Sequence, residues 1–246
     1  MRRRLERVTQ AALLVCALLP LAPRAKAPAC EPLLAGVQRE EHFVLLLDSP
    51  GSTAQRTSVP KPVGLASWRA RGGERSQVEL EVRLFDEDLR VQHVETVDSS
   101  VSELVWREWR AGHGRTLRVR AEAGVLELVE WGRPEVLRVT LPTPDPVWLP
   151  LHLLEALRGG ASIDSALCFD PLGRCAERLS LRAESDAPES RRVRLTDALQ
   201  ACAGEFRFEG DVLAEFRWQA GALRAKAIGA DEYATLEREQ AARDQR

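Results

Sequence analysis

The stretch QVELEVRLF, residues 77–85, sets Val78, Leu80, Val82 and Leu84 against Glu79, Glu81 and Arg83 in strict alternation. That period leaves a chain few choices. A helix would scatter the two sets around its axis, whereas a strand sends each to its own face, one to be buried and one solvated. The same period recurs in Leu117, Val119 and Ala121 against Arg118 and Arg120, and in Leu137, Val139 and Leu141 against Arg138 and Thr140. Turn-forming clusters punctuate these runs: Arg71-Gly72-Gly73, Phe85-Asp86-Glu87-Asp88, Ala111–Gly114, Ala123-Gly124 and Gly132-Arg133-Pro134. The spacing predicts about eight strands before residue 142, joined mainly by hairpins into an antiparallel meander.

LPTPDPVWLP interrupts the pattern, and Leu151, Leu153, Leu154 and Leu157 then precede Gly159-Gly160. This predicts one short helix near 146–158 with a glycine stop, its apolar side against the open face or mouth of the sheet. Strand patterns resume over 162–169, 176–183, 191–196, 199–208, 212–218 and 223–228, with SDAPES at 185–190 as a loop. The last segment, 230–246, has acids early, arginines late and few apolar residues, as expected of a solvated terminal helix. The expected fold is therefore mainly β. An antiparallel meander forms a curled, half-open, barrel-like sheet over 43–229 as one domain, with one inserted helix, a helical tail and an N-terminal segment at 28–42.

The N-terminus speaks to compartment. MRRRLERVTQ is basic, Ala11–Ala22 is apolar, and Ala25-Lys26-Ala27 offers small residues at cleavage spacing. The apolar run, broken by Pro20, is shorter than the roughly 20 residues of a membrane span. Residues 1–27 read as a removable export signal, leaving a periplasmic or secreted protein without a transmembrane span. A second reading takes Ala27-Pro28-Ala29-Cys30 as a degenerate lipobox with Cys30 lipidated. Six basic residues against one acidic lie in residues 1–27, so their removal takes the formal net charge from −2 to −7. A net acidic chain has no global field to hold a phosphate backbone, and no nucleic-acid partner is expected.

Once the signal is removed, Cys30, Cys168, Cys175 and Cys202 remain, an even number suited to an oxidising compartment. CFDPLGRC places Cys168 and Cys175 on either side of a turn, where a two-residue loop would oppose them and a bulged one would shift the register. The expected pairs are Cys168–Cys175 and, by elimination, Cys30–Cys202. The spacing and the lack of a nearby histidine argue against zinc, and neither metal nor cofactor is expected. The chain contains no G-x-S-x-G elbow, P-loop, H-E-x-x-H or C-x-x-C. His42, His93, His113 and His152 are dispersed, so any triad has to assemble in space. FDEDLR at 85–90 reads as a solvated hairpin tip. Tryptophans are the other distinctive resource. In LVWREWR, Leu104 and Trp106 fall on one face of a regular strand and Trp109 on the other, as in a sheet packed on two sides or curled round a cavity. Trp106, Trp109, Trp131 and Trp148 are the candidate ligand-lining residues.

A long meander, the segment PDPVWLPLHLLEAL, the FDPL turn at Phe169–Leu172 and the closing FRFEGDVLAEFRWQAGALRAKAIGADEY together give the chain a recognisable outline. It resembles uncharacterised exported bacterial β-proteins of the domain-of-unknown-function kind, broadly similar to lipoprotein-carrier and lipocalin-like half-barrels, over residues 43–233. The resemblance implies an envelope location and binding of an amphiphile, and it assigns no residue a role. The leading expectation is a non-enzymatic protein holding a lipid-like envelope ligand in its curled sheet. The alternatives are an envelope assembly protein that binds a partner protein through a sheet edge or the acidic tail, and an enzyme with an unrecognised site.

Overall fold

The computed structural model describes residues 34–244 apart from 35, 48–61, 86, 99–100, 123–124, 134, 141–146, 160, 162, 171–174, 188–189, 197–201 and 219–222. The expected signal, Cys30 and residues 28–33 and 35 of the segment at 28–42 lie outside these residues. The first strands are β1 (Gln38–Leu47), β2 (Pro62–Arg71), β3 (Ser76–Leu84), β4 (Leu89–Val97), β5 (Val101–Arg110), β6 (His113–Glu122), β7 (Val125–Glu130) and β8 (Val136–Thr140). A two-residue strand, β9 (Val147–Trp148), leads into helix α1 (Pro150–Arg158). Then follow β10 (Ser165–Asp170), β11 (Cys175–Ala187), β12 (Ser190–Thr196), β13 (Cys202–Glu209), β14 (Val212–Trp218), β15 (Leu223–Ile228) and helix α2 (Ala230–Asp244).

All fifteen strands belong to one sheet, in the order β8-β7-β6-β5-β4-β3-β2-β1-β15-β14-β13-β12-β11-β10-β9. The ladder is antiparallel throughout except for β9 with β10. The meander is thus joined to itself at β1–β15, where His42 faces Ile228 and Leu47 faces Leu223. Its edges are β8 and β9, neighbours in sequence. Six residues separate Thr140 from Val147, which limits the edges to about 25 Å apart at full stretch. Laid flat, fifteen strands would set them roughly 67 Å apart. The sheet has to curl, and the mainly β, barrel-like but unclosed architecture expected from the alternation is the one observed.

Register identifies the concave face. Phe43, Leu45, Ala66, Trp68, Ala70, Val78, Phe206, Phe208 and Phe216 build one buried cluster with the leucines of α1. A second cluster joins Leu104, Leu117, Val119, Leu126 and Leu128 to Val147, Leu149 and Phe169. The β9–β10 edge is therefore tucked inward: Val147 and Phe169 meet β5–β7, while Trp148 and Cys168 face the first cluster. Every residue of α1 is buried. The sequence pattern placed this helix at the mouth of an open sheet, but the helix fills the interior. It is also shorter at its start than expected, because Val147 and Trp148 pair with Leu167 and Cys168.

Two further expectations are revised. SDAPES is not all loop, since β11 runs to Ala187 and β12 starts at Ser190. Across β10–β11, Cys168 faces Glu177 and Cys175 faces Asp170. The two cysteines are thus offset by two residues along the ladder, which carries their Cα atoms past the roughly 7 Å limit for a disulfide. The Cys168 thiol lies buried, 3.9 Å from the Phe169 carbonyl. Cys202 pairs by backbone with Thr196, while its expected partner Cys30 is outside the described residues.

Candidate functional site

α1 carries His152, Glu155 and Arg158 into the interior, and strand residues of the right charge meet each of them. Its N-terminus has no side-chain cap of its own. Glu95 of β4, fully buried, supplies one from across the barrel: Oε1 accepts the Leu151 N–H at 2.9 Å, and Oε2 accepts the His152 N–H at 2.8 Å. His152 Nδ1 lies 3.0 Å from the same Oε2. His93 Nε2 lies 2.9 Å from Oε1 but sits off the axis of a hydrogen bond. Burial alone would raise the Glu95 pKa. The neighbouring His93 and His152 imidazoles and the His152 hydrogen bond outweigh it and bring the carboxyl down to about 2, at a helix terminus that itself favours negative charge.

Ser76 Oγ lies 3.1 Å from His152 Nε2, so Ser76, His152 and Glu95 have the connectivity of a nucleophile, a base and its orienting acid. The proton accounting points elsewhere. Ser76 Oγ also sits 3.1 Å from the Val97 carbonyl, and one hydroxyl proton cannot serve both acceptors. Ser76 donates to the Val97 carbonyl, which leaves no hydroxyl proton for His152 Nε2. Ser76 is 3% exposed, which leaves a substrate no approach to Oγ. The group clamps the helix.

The other end of α1 is held in the same manner with the signs reversed. Glu155 Oε1 accepts the Trp68 indole N–H at 2.7 Å and the Arg158 guanidinium at 3.0 Å, and Oε2 accepts Arg39 at 3.1 Å. Arg158 also binds Glu41. Arg191 donates to the Leu157 and Arg158 carbonyls at the helix C-terminus, and its guanidinium stands 5.2 Å from the Phe208 ring centre.

Open space lies on the opposite, convex face. There α2 crosses the outside of β1, and the Tyr233 ring packs on His42 with centroids 4.5 Å apart. Between α2 and β2–β5 is a pocket of about 780 Å³, lined among others by Leu65, Glu81, Arg90, Trp109, Tyr233 and Glu237. Register explains its floor: Leu65, Arg83, Arg90 and Trp109 form one row across β2–β5. Arg90 is held 2.8 Å from Glu81 and stands 5.5 Å from the centre of the Trp109 ring. The tight β5–β6 turn, Ala111 and Gly112 both at positive φ, brings Gly112 to the rim. Burial, then the Glu237 and Glu81 carboxylates, raise the Tyr233 pKa, so its phenol is a hydrogen-bond donor at neutral pH.

The four candidate tryptophans do not converge. Trp109 lines this pocket. Trp106 faces inward, 5.5 Å from His93 between ring centres, and packs on the second cluster. Trp148 is buried in the first cluster. Trp131 is 83% exposed at the end of β7. The sequence reading missed Tyr233 and the clamp residues, although β4 carried a signal. Val91, His93, Glu95 and Val97 share one strand face, so two polar side chains sit where apolar ones belong.

No family model matches the chain, and no curated protein matches it. A crystal structure of a β-barrel-like protein of a domain of unknown function, DUF1849, from Brucella abortus is similar in fold. The TM-score is 0.50 at 14% identity, covering 78% of this chain and 96% of that one. The likeness supports a barrel-like architecture of the kind found in uncharacterised bacterial proteins.

Proposed function

We propose that the protein is an exported, non-enzymatic binding protein for a small amphiphile, taken up in the convex pocket beneath α2. The observation that carries this reading is the pocket itself. Its volume of about 780 Å³ is in the range of small-molecule sites, and it offers aromatic faces beside charges of both signs. The curled interior, where the sequence placed such a ligand, is occupied by α1. Trp109 and Leu65 suit an acyl or aromatic body, while Arg90, Glu81 and Glu237 suit a zwitterionic head.

Lysophosphatidylethanolamine displacing anilinonaphthalene sulfonate tests the site. The expected result is saturable one-to-one binding, weakened roughly tenfold by Trp109→Ala, the scale of a lost aromatic contact, and unchanged by Trp131→Ala. Equal affinity in all three proteins, with melting curves confirming that each is folded, sinks the reading. Export is supported by the composition of residues 1–27. Expressed in a Gram-negative host, the protein is expected in the periplasm with an N-terminus near Pro28, read by Edman degradation. Recovery of the intact N-terminus from the cytosol removes export from the proposal, and a diacylated Cys30 replaces it with a lipid anchor.

A further inference from the structure

Among the described residues β8 pairs only with β7, and all five of its residues are exposed. Such an edge is usually blunted by charge or proline. Here Val136, Leu137 and Val139 are about half exposed, and Trp131 stands bare at the turn that leads to them. An edge of this kind is a template for another strand, and the register across β5–β8 specifies which strand. On the outer face one row runs Glu103, Arg120, Glu127, Arg138, alternating in sign, and its last pair closes at 2.8 Å. On the inner face the flanking rows run Leu104, Val119, Leu128, Leu137 and Ser102, Ala121, Leu126, Val139. Each row stops at β8 with a neighbour on one side alone. The residue that continues the first row is a carboxylate, and those that continue the other two are apolar.

We propose that β8 docks an extended segment of another protein with an apolar–acidic–apolar sequence, added to the sheet as a further strand. The acidic side chain faces Arg138, and the apolar ones cover Leu137 and Val139. A second copy of this chain fits worse. Two β8 strands related by a two-fold axis normal to the sheet oppose only residues of the same face. Arg138 then meets Val136, Thr140 or its own counterpart, and Glu135 always falls in rows of the other face. No such register gives Arg138 an acid.

Two synthetic peptides test this surface, acetyl-Ser-Thr-Val-Glu-Val-Thr-Ser-amide and its counterpart with lysine for glutamate, followed by amide shifts of the isotope-labelled protein. The acidic peptide is expected to move β7 and β8 resonances and to bind about fivefold tighter than the basic one, the scale of one cross-strand charge pair. Arg138→Glu should reverse the preference. Arg138→Gln, which sets no like charge beside Glu127, should abolish it. The proposal is overturned if neither peptide perturbs β8 or if the preference is the same in all three proteins. It is also overturned if β8 resonances shift with protein concentration alone, which assigns the edge to self-association. The peptide result concerns the β8 edge and the lysophospholipid result the pocket over β2–β5, so either can fail without the other.

Discussion

Replacing Glu95 with glutamine is expected to remove about 3 kcal/mol of folding stability at neutral pH, measured by denaturant unfolding. The carboxylate is fully buried, accepts two backbone N–H groups of α1 and lies beside two imidazoles. A glutamine amide has to turn its NH₂ toward one of those donors. The pH profile supplies the stricter test. The folded-state pKa of Glu95, about 2, is below the ordinary 4.5. Its contribution is therefore complete above about 4.5 and is lost as pH falls toward 2. Wild-type stability should drop through that window, whereas the Glu95→Gln protein should change much less across it. If the two fall in parallel, the acid sensitivity belongs to other carboxylates.

The second large effect is expected at the opposite end of the same helix. Glu155→Ala leaves Arg158, a side chain 3% exposed, with Glu41 as its remaining carboxylate and takes the acceptor from the Trp68 indole. Breaking one partner of a buried pair costs about 3–5 kcal/mol. The double change Glu155→Leu with Arg158→Met removes both charges and keeps the volume, so it should recover most of that loss even though Glu41 also gives up a partner. Additive single and double values in denaturant melts would show that the pair is not coupled. A double mutant cycle is the right instrument because the four groups Arg39, Glu41, Glu155 and Arg158 act as one network.

The strands were legible because alternation is a local property. Val78 to Leu84 declare their faces without reference to anything else, and the eight strands before residue 142 follow from such runs and the turns between them. The closure was not legible. Nothing in FVLLL or LRAKAI says that β1 and β15 are neighbours, since both would look the same at an edge. The helix was half legible. Its leucines predicted a buried side, but nothing local shows that His152, Glu155 and Arg158 are buried too, because their partners Glu95, Glu41 and Arg39 lie more than 50 residues away in sequence. Of the tryptophans, strand parity separated Trp106 from Trp109 correctly, but only the position of α2 makes the face of Trp109 a pocket.

The β1–β15 seam has a consequence for how the molecule comes into being. Nearly every other strand pairs with its predecessor, so those hairpins zip with short loop closures. This one ladder joins residue 42 to residue 228 and has to wait for the last strand. Until then the nascent chain carries two sticky half-sheets, each with an unpaired border and with α1 unclamped from the half that has not yet formed. Such a chain is best kept extended until it is whole.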